Sequence, residues 1–584
     1  MQRSYSPREL VRALRTSDSG LLLLSLLIGA GAGVGAVAFR WLITAFTVAL
    51  SGHTDFTAAT SYTNPLVPGL GRWFVVLAPV VAGLLYGPLV HVFAREARGH
   101  GVPEVMFAVA RRGGRIPPQV AAVKALASAL CIGGGGSVGR EGPIVQIGAA
   151  LGSTLGGIVK VPEPRRRVLV ACGAAGGIAA TFNAPLAGVF FAMELILADF
   201  AAQSFGMVVL ASVTASVIGR AALGNEPFLS LPTFTVHHVW EFVLFAVLGA
   251  LAGAVGVGFT RVLYAIEDAC DWAWRGPEWL RPAVGGLLLG GLLLVLPQMY
   301  GVGYPVLGNS VAGRYGIGFL LLLLVAKMVA TSLTIGIGGS GGVFAPSLFI
   351  GAMLGSAFGQ GLDQLHPGIT GGAGTYALIG MGAVFAGAAR APITALIIMF
   401  ELTGEYTIIL PLMVAIVLAT GVSHLLTEDT IYTLKLRRRG VDLTELPATY
   451  RMRTTTAGSV MTPVGPTVQA DIPVAALAAQ LVHAVHGQLP VVDTDGVYLG
   501  VVTARTVAED LASGDKSDRT ANDVLEWPIP VAADGSLQSA MDALERDAAT
   551  AVPVCTDDGQ RIVGWMTSEH LLAALRGPLT EGKT

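Results

Sequence analysis

Charge is what this 584-residue chain has least of. Only 13% of its residues are Asp, Glu, Lys or Arg, about half the share usual in soluble proteins. With 53% hydrophobic residues and a mean hydropathy of +0.65, that scarcity excludes disorder and speaks against an ordinary cytosolic enzyme. Cysteine is also scarce. Cys131, Cys172, Cys270 and Cys555 stand far apart with no CxxC pair, so neither a secreted disulfide scaffold nor a zinc site is indicated. The formal net charge of −2 gives no electrostatic footprint for a nucleic-acid partner. Glycine, by contrast, is plentiful, with 76 residues.

The few charges are partitioned. Residues 451–584 hold 9 Lys+Arg and 17 Asp+Glu, which is 26 charges in 134 residues and a net −8. Residues 1–450 hold the other 28 Lys+Arg and 22 Asp+Glu, a net +6 spread over 450 residues. No single core accepts both compositions, so a hydrophobic body and an acidic soluble tail are separate domains.

The body carries apolar runs at 20–50, 73–94, 120–132, 205–219, 239–266, 283–298, 317–337 and 405–427. Several reach the roughly 20 residues that a membrane span needs. Others, such as 143–159 and 346–362, are short and flanked by glycine, which lets membrane helices approach closely. The first run lacks a small-residue cleavage site and is not read as a cleaved signal peptide. Basic clusters at Arg3, Arg8, Arg12 and Arg15, at Arg111, Arg112 and Arg115, at Arg165–Arg167 and at Arg437–Arg439 mark the cytoplasmic side. Both termini are therefore expected in the cytoplasm, and the protein in the plasma (inner) membrane.

The body repeats itself. Residues 124–156 and 327–359, offset by 203, share 17 identities in 33 positions. Lys124 falls on Lys327, Pro143 on Pro346, and GAALGS (148–153) on GAMLGS (351–356). At an offset of 207, Ala184-Pro185 falls on Ala391-Pro392 and Glu194-Leu195 on Glu401-Leu402. Two related halves, about 20–225 and 235–437, are a signature of transporters, whose site lies between the repeats near the bilayer midplane. The segments GGSVGREGP (135–143) and GGSGGVFAP (338–346) are the candidates for that site. In each, a glycine-rich stretch leads into a first-turn proline and an apolar helix. Glycines let the chain turn sharply and expose N–H groups, and a helix start attracts anions. Two such starts stabilise an anion without a full positive charge, which leaves it free to depart.

Glu141 stands in the first of these segments where the second half has Phe344. A carboxylate in the hydrocarbon zone costs roughly 2.5–3.5 kcal/mol on insertion scales and is a functional residue by default. Tethered beside an anion site, it can occupy that site, block it, and leave when protonated. That makes Glu141 a gate and a candidate proton carrier. The competing expectation is an Arg140–Glu141 structural pair on a surface loop.

At these residues the chain resembles the CLC family of chloride channels and chloride/proton antiporters. GREGP (139–143: Gly139, Arg140, Glu141, Gly142, Pro143) matches the gating-glutamate motif. GGVFAP (341–346), with Gly342, Val343, Phe344 and Pro346, matches the anion-binding segment. GHGVPE (99–104) matches the family's GSGIPE, and Tyr432 in DTIYTLK matches the tyrosine whose hydroxyl contacts the central anion. The resemblance implies an all-α polytopic membrane fold with inverted-repeat CLC architecture. It further implies a homodimer in the lipid bilayer with one anion pathway per subunit. The anion contacts implied are the N–H groups of Val343 and Phe344, the Tyr432 hydroxyl, and His100 with Gly101 beside it.

Two departures bear on mechanism. His100 replaces the family's serine. Neutral imidazole can still donate one hydrogen bond, and imidazolium would add charge and pH dependence. The plain alternative is a bystander ring pointing away. In NAPLAGVFFAMEL (183–195), Leu195 occupies the place where antiporters often carry the internal proton-transfer glutamate. Glu194 matches the first glutamate of that pair, and its repeat mate Glu401 argues for a shared structural role over proton relay. The reading therefore leans to a channel-like or weakly proton-coupled chloride pathway, with chloride/proton antiport as the alternative. Lys124 and Lys327, repeated inside the body, are read as structural caps rather than as a general electropositive field.

Readings of other classes remain. GGSVG (135–139) and GGSGG (338–342) formally match the GxSxG nucleophile elbow. However, the pattern recurs at repeat positions inside glycine runs that match it easily, so no enzyme is expected. A membrane sensor whose tail is the active part is the other alternative. The tail repeats strand, helix, strand, turn, strand, helix, about 456–513 and 520–577, after a linker at 438–455 and before a last segment at 578–584. Residues 1–19 precede the body at 20–437. The tail resembles an α/β tandem CBS pair. Such pairs often bind adenine nucleotides, but Thr506 and His570 stand at the two places of the ribose-binding acid. A dimerisation and regulatory module is the expectation, with no cofactor or metal assigned.

Overall fold

The computed structural model describes residues 14–59, 62–224, 238–365, 371–482, 484–513, 519–546 and 549–576. Arg3, Arg8, Arg12 and the last segment, 578–584, lie outside them. The chain divides into two units, Met1–Asp442 and Leu443–Thr584.

In the first unit, apolar composition makes helices and glycine sets how closely they cross. Helix α1 (Asp18–Ser51) opens where Ser17 Oγ accepts from Gly20 N at 3.0 Å and closes at Gly52 with φ 75°. Its 34 residues span about 50 Å, more than the ~30 Å hydrocarbon core, so it is long enough to cross a membrane with length to spare. There follow α2 (Phe74–Phe93), α3 (Val102–Arg111), α4 (Gln119–Gly133), α5 (Glu141–Ile158), α6 (Glu163–Phe182), α7 (Pro185–Phe191) and α8 (Ala202–Leu223). The second half has α9 (Glu241–Ala273), α10 (Arg281–Val295), α11 (Tyr304–Val311), α12 (Ile317–Gly336), α13 (Phe344–Leu365), α14 (Ala373–Ala389), α15 (Pro392–Thr403), α16 (Ile409–Leu426) and α17 (Thr433–Arg437). Among the described residues, six helices are long and apolar enough to cross a membrane: α1, α2, α8, α9, α12 and α16, two of them with a short lead-in turn.

The two halves pack alike. Helix α5 crosses α6 where Gly148 meets the Gly173 backbone, and α13 crosses α14 where Gly351 meets Gly380. A Cβ on any of the four would run into the facing carbonyl, so glycine is required for the approach. Helices α6 and α14 were not among the apolar runs found in the sequence, because alanine and glycine dilute them and α6 begins EPRRR. Their burial comes from close crossing rather than from large side chains.

Among the described residues, the basic clusters at Arg111 and at Arg165–Arg167 gather at one end of this unit. Arg165 donates to Ser17 O at 2.7 Å at the start of α1. The Arg166–Arg167 backbone lies against Gly114, and Arg111 donates to Asp442 O. The beginning of α1 and the end of the unit therefore sit on one side.

The second unit is α/β. Strands β1 (Thr462–Pro463), β5 (Val531–Ala532), β6 (Ala551–Cys555) and β7 (Ile562–Thr567) form a sheet in the order β1-β7-β6-β5. Strands β2 (Val468–Gln469), β3 (Gln488–Val492) and β4 (Tyr498–Thr503) form another. β1 belongs in sequence to the first repeat yet pairs antiparallel with β7 of the second, Thr462 opposite Trp565. The span expected as a linker, 438–455, holds helix α18 (Pro447–Thr454). Its Met452 is buried with Leu537, Val552 and Met566, and Arg451 donates to Leu575 O at 2.6 Å. The scattered apolar residues of that stretch, Val441, Leu443, Leu446 and Met452 among them, show no helical period. Helices α19 (Val474–Leu481), α20 (Ala504–Ala512), α21 (Leu537–Arg546) and α22 (Ser568–Arg576) complete the unit.

Candidate functional site

Three glycine-rich loops from distant parts of the sequence meet inside the first unit. Gly139 N donates to Gly342 O at 2.8 Å, and Gly342 N to Gly139 O at 2.6 Å. Gly99 N donates to Gly339 O at 3.0 Å, tying in the loop before α3. The starts of α3, α5 and α13 are thereby locked together. Gly142 faces Gly342 so closely that a Cβ on Gly342 would lie 2.7 Å from Gly142 N. A Cβ on Gly101 would meet the Gln146 side chain. Pro143 and Pro346 sit in the first turns of α5 and α13, where a missing N–H costs nothing. The α13 ladder begins with Ser347 N donating to Val343 O at 3.0 Å, so the N–H groups of Val343 and Phe344 lie ahead of it. The Phe344 ring packs edge-on against Phe385, with centroids 4.5 Å apart.

Glu141 reaches into this junction. It is 1% exposed, which removes the surface-loop alternative. Tyr304 at the start of α11 donates its hydroxyl to Oε1 at 2.8 Å, and Ala345 N–H points at Oε2 at 3.4 Å. The carboxylate of one half thus lies at the helix start of the other. It also sits close enough to Tyr432 and Lys327 to act on both electrostatically. A Cβ on Gly139 would strike Oε2, so the glycine keeps that place open. Arg140 lies over the Tyr304 ring at 5.1 Å and reaches towards Thr181 O at 3.4 Å, close enough to act on Glu141 electrostatically.

His100 and Tyr432 form an adjoining buried cluster, their ring centroids 6.3 Å apart. Tyr264 of α9 donates to Ile431 O at 2.7 Å and lies 3.3 Å from His100 Nε2. His100 Nδ1 and the Tyr432 hydroxyl are buried with no hydrogen-bond partner among the described residues. Such orphaned groups are rare in protein interiors, and both belong to the set the sequence assigned to the anion.

The repeated lysines hold loops. Lys124 Nζ donates to Ala97 O at 2.9 Å and to Gly99 O at 2.7 Å. Lys327 Nζ donates to Ser137 Oγ at 2.9 Å and to Gly301 O and Val302 O at 3.1 Å. Each caps carbonyls of a loop feeding a helix start. The two GxSxG serines are engaged in the same way: Ser137 takes the Lys327 bond, and Ser340 donates to Ala97 O at 2.7 Å.

The repeated glutamates cap helices across the halves. Residues Ala192–Leu197 form a π-helical turn, a widening that re-aims side chains. From it Glu194 accepts from Ile393 N at 3.1 Å, Thr394 N at 2.8 Å and Thr394 Oγ1 at 2.7 Å at the start of α15. Glu401 of α15 reciprocates, accepting from Leu186 N at 2.9 Å and Ala187 N at 2.7 Å at the start of α7. Leu195 is buried. Sequence reasoning missed Tyr264 and Tyr304, whose partners lie 164 and 163 residues away. No local pattern marks them.

In the tail, His570 accepts from Thr567 N at 3.2 Å through Nδ1 and meets Thr462 Oγ1 at 2.8 Å through Nε2. Thr506 completes a capping box with Thr503. Both side chains at the expected ribose-acid places are thus occupied by local structure. Burial pushes the Cys555 thiol up to about 11.

Residues 82–424 match the family profile described as voltage gated chloride channel, and 457–513 and 524–577 each match the CBS domain. The chain is 32% identical over 434 residues to a ClcB-like chloride channel protein of Ralstonia nicotianae, covering 73% of this chain and 99% of the relative. It is 34% identical over 445 residues to the H(+)/Cl(-) exchange transporter ClcA of Vibrio cholerae, covering 74% and 93%. Among solved structures, a slow cyanobacterial Cl-/H+ antiporter superposes with a TM-score of 0.63 at 26% identity, covering 73% of this chain and 98% of that one. A CLC-type fluoride/proton antiporter superposes with a TM-score of 0.58 at 26% identity, covering 74% and 99%. The fold also matches a eukaryotic CLC transporter, with a TM-score of 0.62 at 22% identity over 96% of this chain and 98% of that one. With its interlocked glycine-rich helix starts, buried glutamate and paired tail repeats, this chain belongs to the CLC family of integral membrane anion channels and transporters and carries a tandem CBS pair.

Proposed function

We propose that this protein exchanges chloride for protons across the membrane, with Glu141 as the protonatable gate. The observation that carries this reading is the Glu141 carboxylate lying at the start of α13, within reach of Ala345 N–H. Ionised, it occupies the place where the N–H groups of Val343 and Phe344 and the Tyr432 hydroxyl would receive an anion. Protonated, it loses its hold on those donors and yields to the anion.

Leu195 favours the channel-like reading, because leucine cannot pass a proton. The names of the relatives favour exchange. Several at 34–37% identity are H(+)/Cl(-) exchange transporters, and a structural neighbour is a Cl-/H+ antiporter. Chloride is the anion we assign. His100 at the family's serine position makes comparison of chloride, nitrate and fluoride the direct selectivity test. A homodimer with one pathway per subunit, in the inner membrane with both termini cytoplasmic, completes the reading. The gathering of Arg111, Arg165 and the unit's two ends on one side supports that orientation. The CBS pair acts as a dimerisation and regulatory module, consistent with His570 being engaged by its neighbours.

Chloride efflux from liposomes reconstituted with the full chain tests this proposal. At saturating chloride, flux that rises on acidification in the parent, and loses that dependence in Glu141→Gln, is expected. Absence of anion flux at every pH would sink the reading.

A further inference from the structure

The hydrogen bonds around His100 fix which nitrogen carries its proton. Tyr264 has one hydroxyl proton, and it goes to Ile431 O at 2.7 Å. Its oxygen can therefore only accept from His100 Nε2, 3.3 Å away. Neutral His100 carries its proton on Nε2, and Nδ1 is a bare lone pair. That lone pair is buried, with no partner among the described residues, in a side chain 3% exposed and packed against Tyr432. A lone pair repels an anion. The neutral ring cannot make the hydrogen bond that a serine hydroxyl would make. Protonated at Nδ1, the same ring offers an N–H and a positive charge.

The surroundings make protonation wait for the anion. Lys124 of α4 faces the ring with its Nζ on the Ala97 and Gly99 carbonyls. Lys435 of α17 and Arg439 act on it electrostatically, the first paired with Glu267 of α9 and the second with Glu104 of α3. Arg438, paired with Asp268, lies over the Tyr264 ring at 5.2 Å. Burial foremost, and these cations after it, make imidazolium unfavourable until an anion arrives to share the site. We propose that His100 binds the transported anion only as imidazolium, so that binding of each anion at this site is accompanied by uptake of one proton at Nδ1. The inference rests on the anion-transport reading. It gives the chain a proton-binding group besides Glu141, where Leu195 offers none.

The test is calorimetric titration of chloride into the full-length Glu141→Gln protein, in buffers of different ionisation enthalpy. The background substitution removes any proton taken up by the gate. Uptake of close to one proton per chloride is expected at alkaline pH. Chloride affinity should fall about tenfold per pH unit there. Adding His100→Asn, whose amide donates without a proton, should abolish both the uptake and the slope while chloride still binds. Adding Tyr264→Phe frees neutral His100 to carry its proton on Nδ1 and should flatten the slope with His100 intact, an effect a merely structural histidine would not give. Chloride binding without proton uptake in Glu141→Gln overturns the proposal alone, as does uptake that survives His100→Asn. No chloride binding at any pH overturns the transport reading along with it.

Discussion

The Tyr304 hydroxyl donates to Glu141 Oε1 at 2.8 Å, holding a carboxylate of the first half from a helix start of the second. A hydrogen bond to an ionised group contributes roughly 1.5–3 kcal/mol. It favours the ionised, blocking form. Tyr304→Phe removes it, so protonation opens the gate at higher pH. The half-point of the pH–flux curve should move up by about one unit or more. An unmoved curve in liposome efflux would show that Tyr304 does not hold the gate.

Glu194 and Glu401 exchange helix caps between the halves. Glu194→Ala strands two backbone N–H groups and the Thr394 hydroxyl, at about 1–3 kcal/mol for each group left unsatisfied. Thermal unfolding of the detergent-solubilised protein should show a lowered Tm. Glu194→Gln keeps one acceptor oxygen and should keep proton-coupled flux. Lost coupling at unchanged Tm would make Glu194 a relay instead of a cap.

Gly173 has the Gly148 carbonyl where its Cβ would go. Gly173→Val overpacks a backbone crossing, which costs about 1–3 kcal/mol or more, and should abolish recovery of monodisperse protein. Gly157 has no atom within 4 Å of its would-be Cβ, so Gly157→Ala should fold at least as well as the parent. Equal behaviour of the two variants would contradict the close crossing.

The CBS unit carries its own pH signature. Asp523 accepts from Thr520 N at 2.8 Å and from Thr520 Oγ1 at 3.1 Å. These bonds, the backbone one foremost, hold its carboxyl below the ordinary value of 3.8. A depressed folded-state value stabilises above the unfolded value and is lost as pH falls through the folded one. Asp523→Ala should therefore lower the unfolding temperature of the CBS unit at neutral pH, with the difference closing as pH falls below 3.8. A difference independent of pH would rule out the capping carboxylate. Cys555, buried with its thiol pushed up to about 11, should resist alkylation at pH 8 until the unit unfolds.

Much of this arrangement was legible in the sequence because it is written in repeats and backbone rules. The offset of 203 residues located both helix starts, and a charge count separated body from tail. Glu141 stood out because an ionisable residue broke the symmetry with Phe344. What was illegible depends on contacts between distant residues. Nothing around Tyr264 or Tyr304 announces that one meets the His100 ring and the other the Glu141 carboxylate. Apart from Ser137 Oγ, the lysine partners are backbone carbonyls, which carry no sequence identity. The π-helical turn that aims Glu194 at α15 reads as plain helix in AMELIL. In the tail, β1 pairs with the second repeat, an exchange that matching patterns within each repeat do not disclose.

The central claim is chloride/proton exchange gated by Glu141. The most direct measurement is proton movement in lightly buffered liposomes holding the full chain under an imposed chloride gradient, with the membrane potential clamped. The account predicts protons driven uphill against a small pH gradient, in the direction opposite to chloride, and no proton movement opposite to chloride in Glu141→Gln although chloride still flows. Chloride flux that never moves protons uphill, in the parent as in the variant, would contradict it and leave a channel.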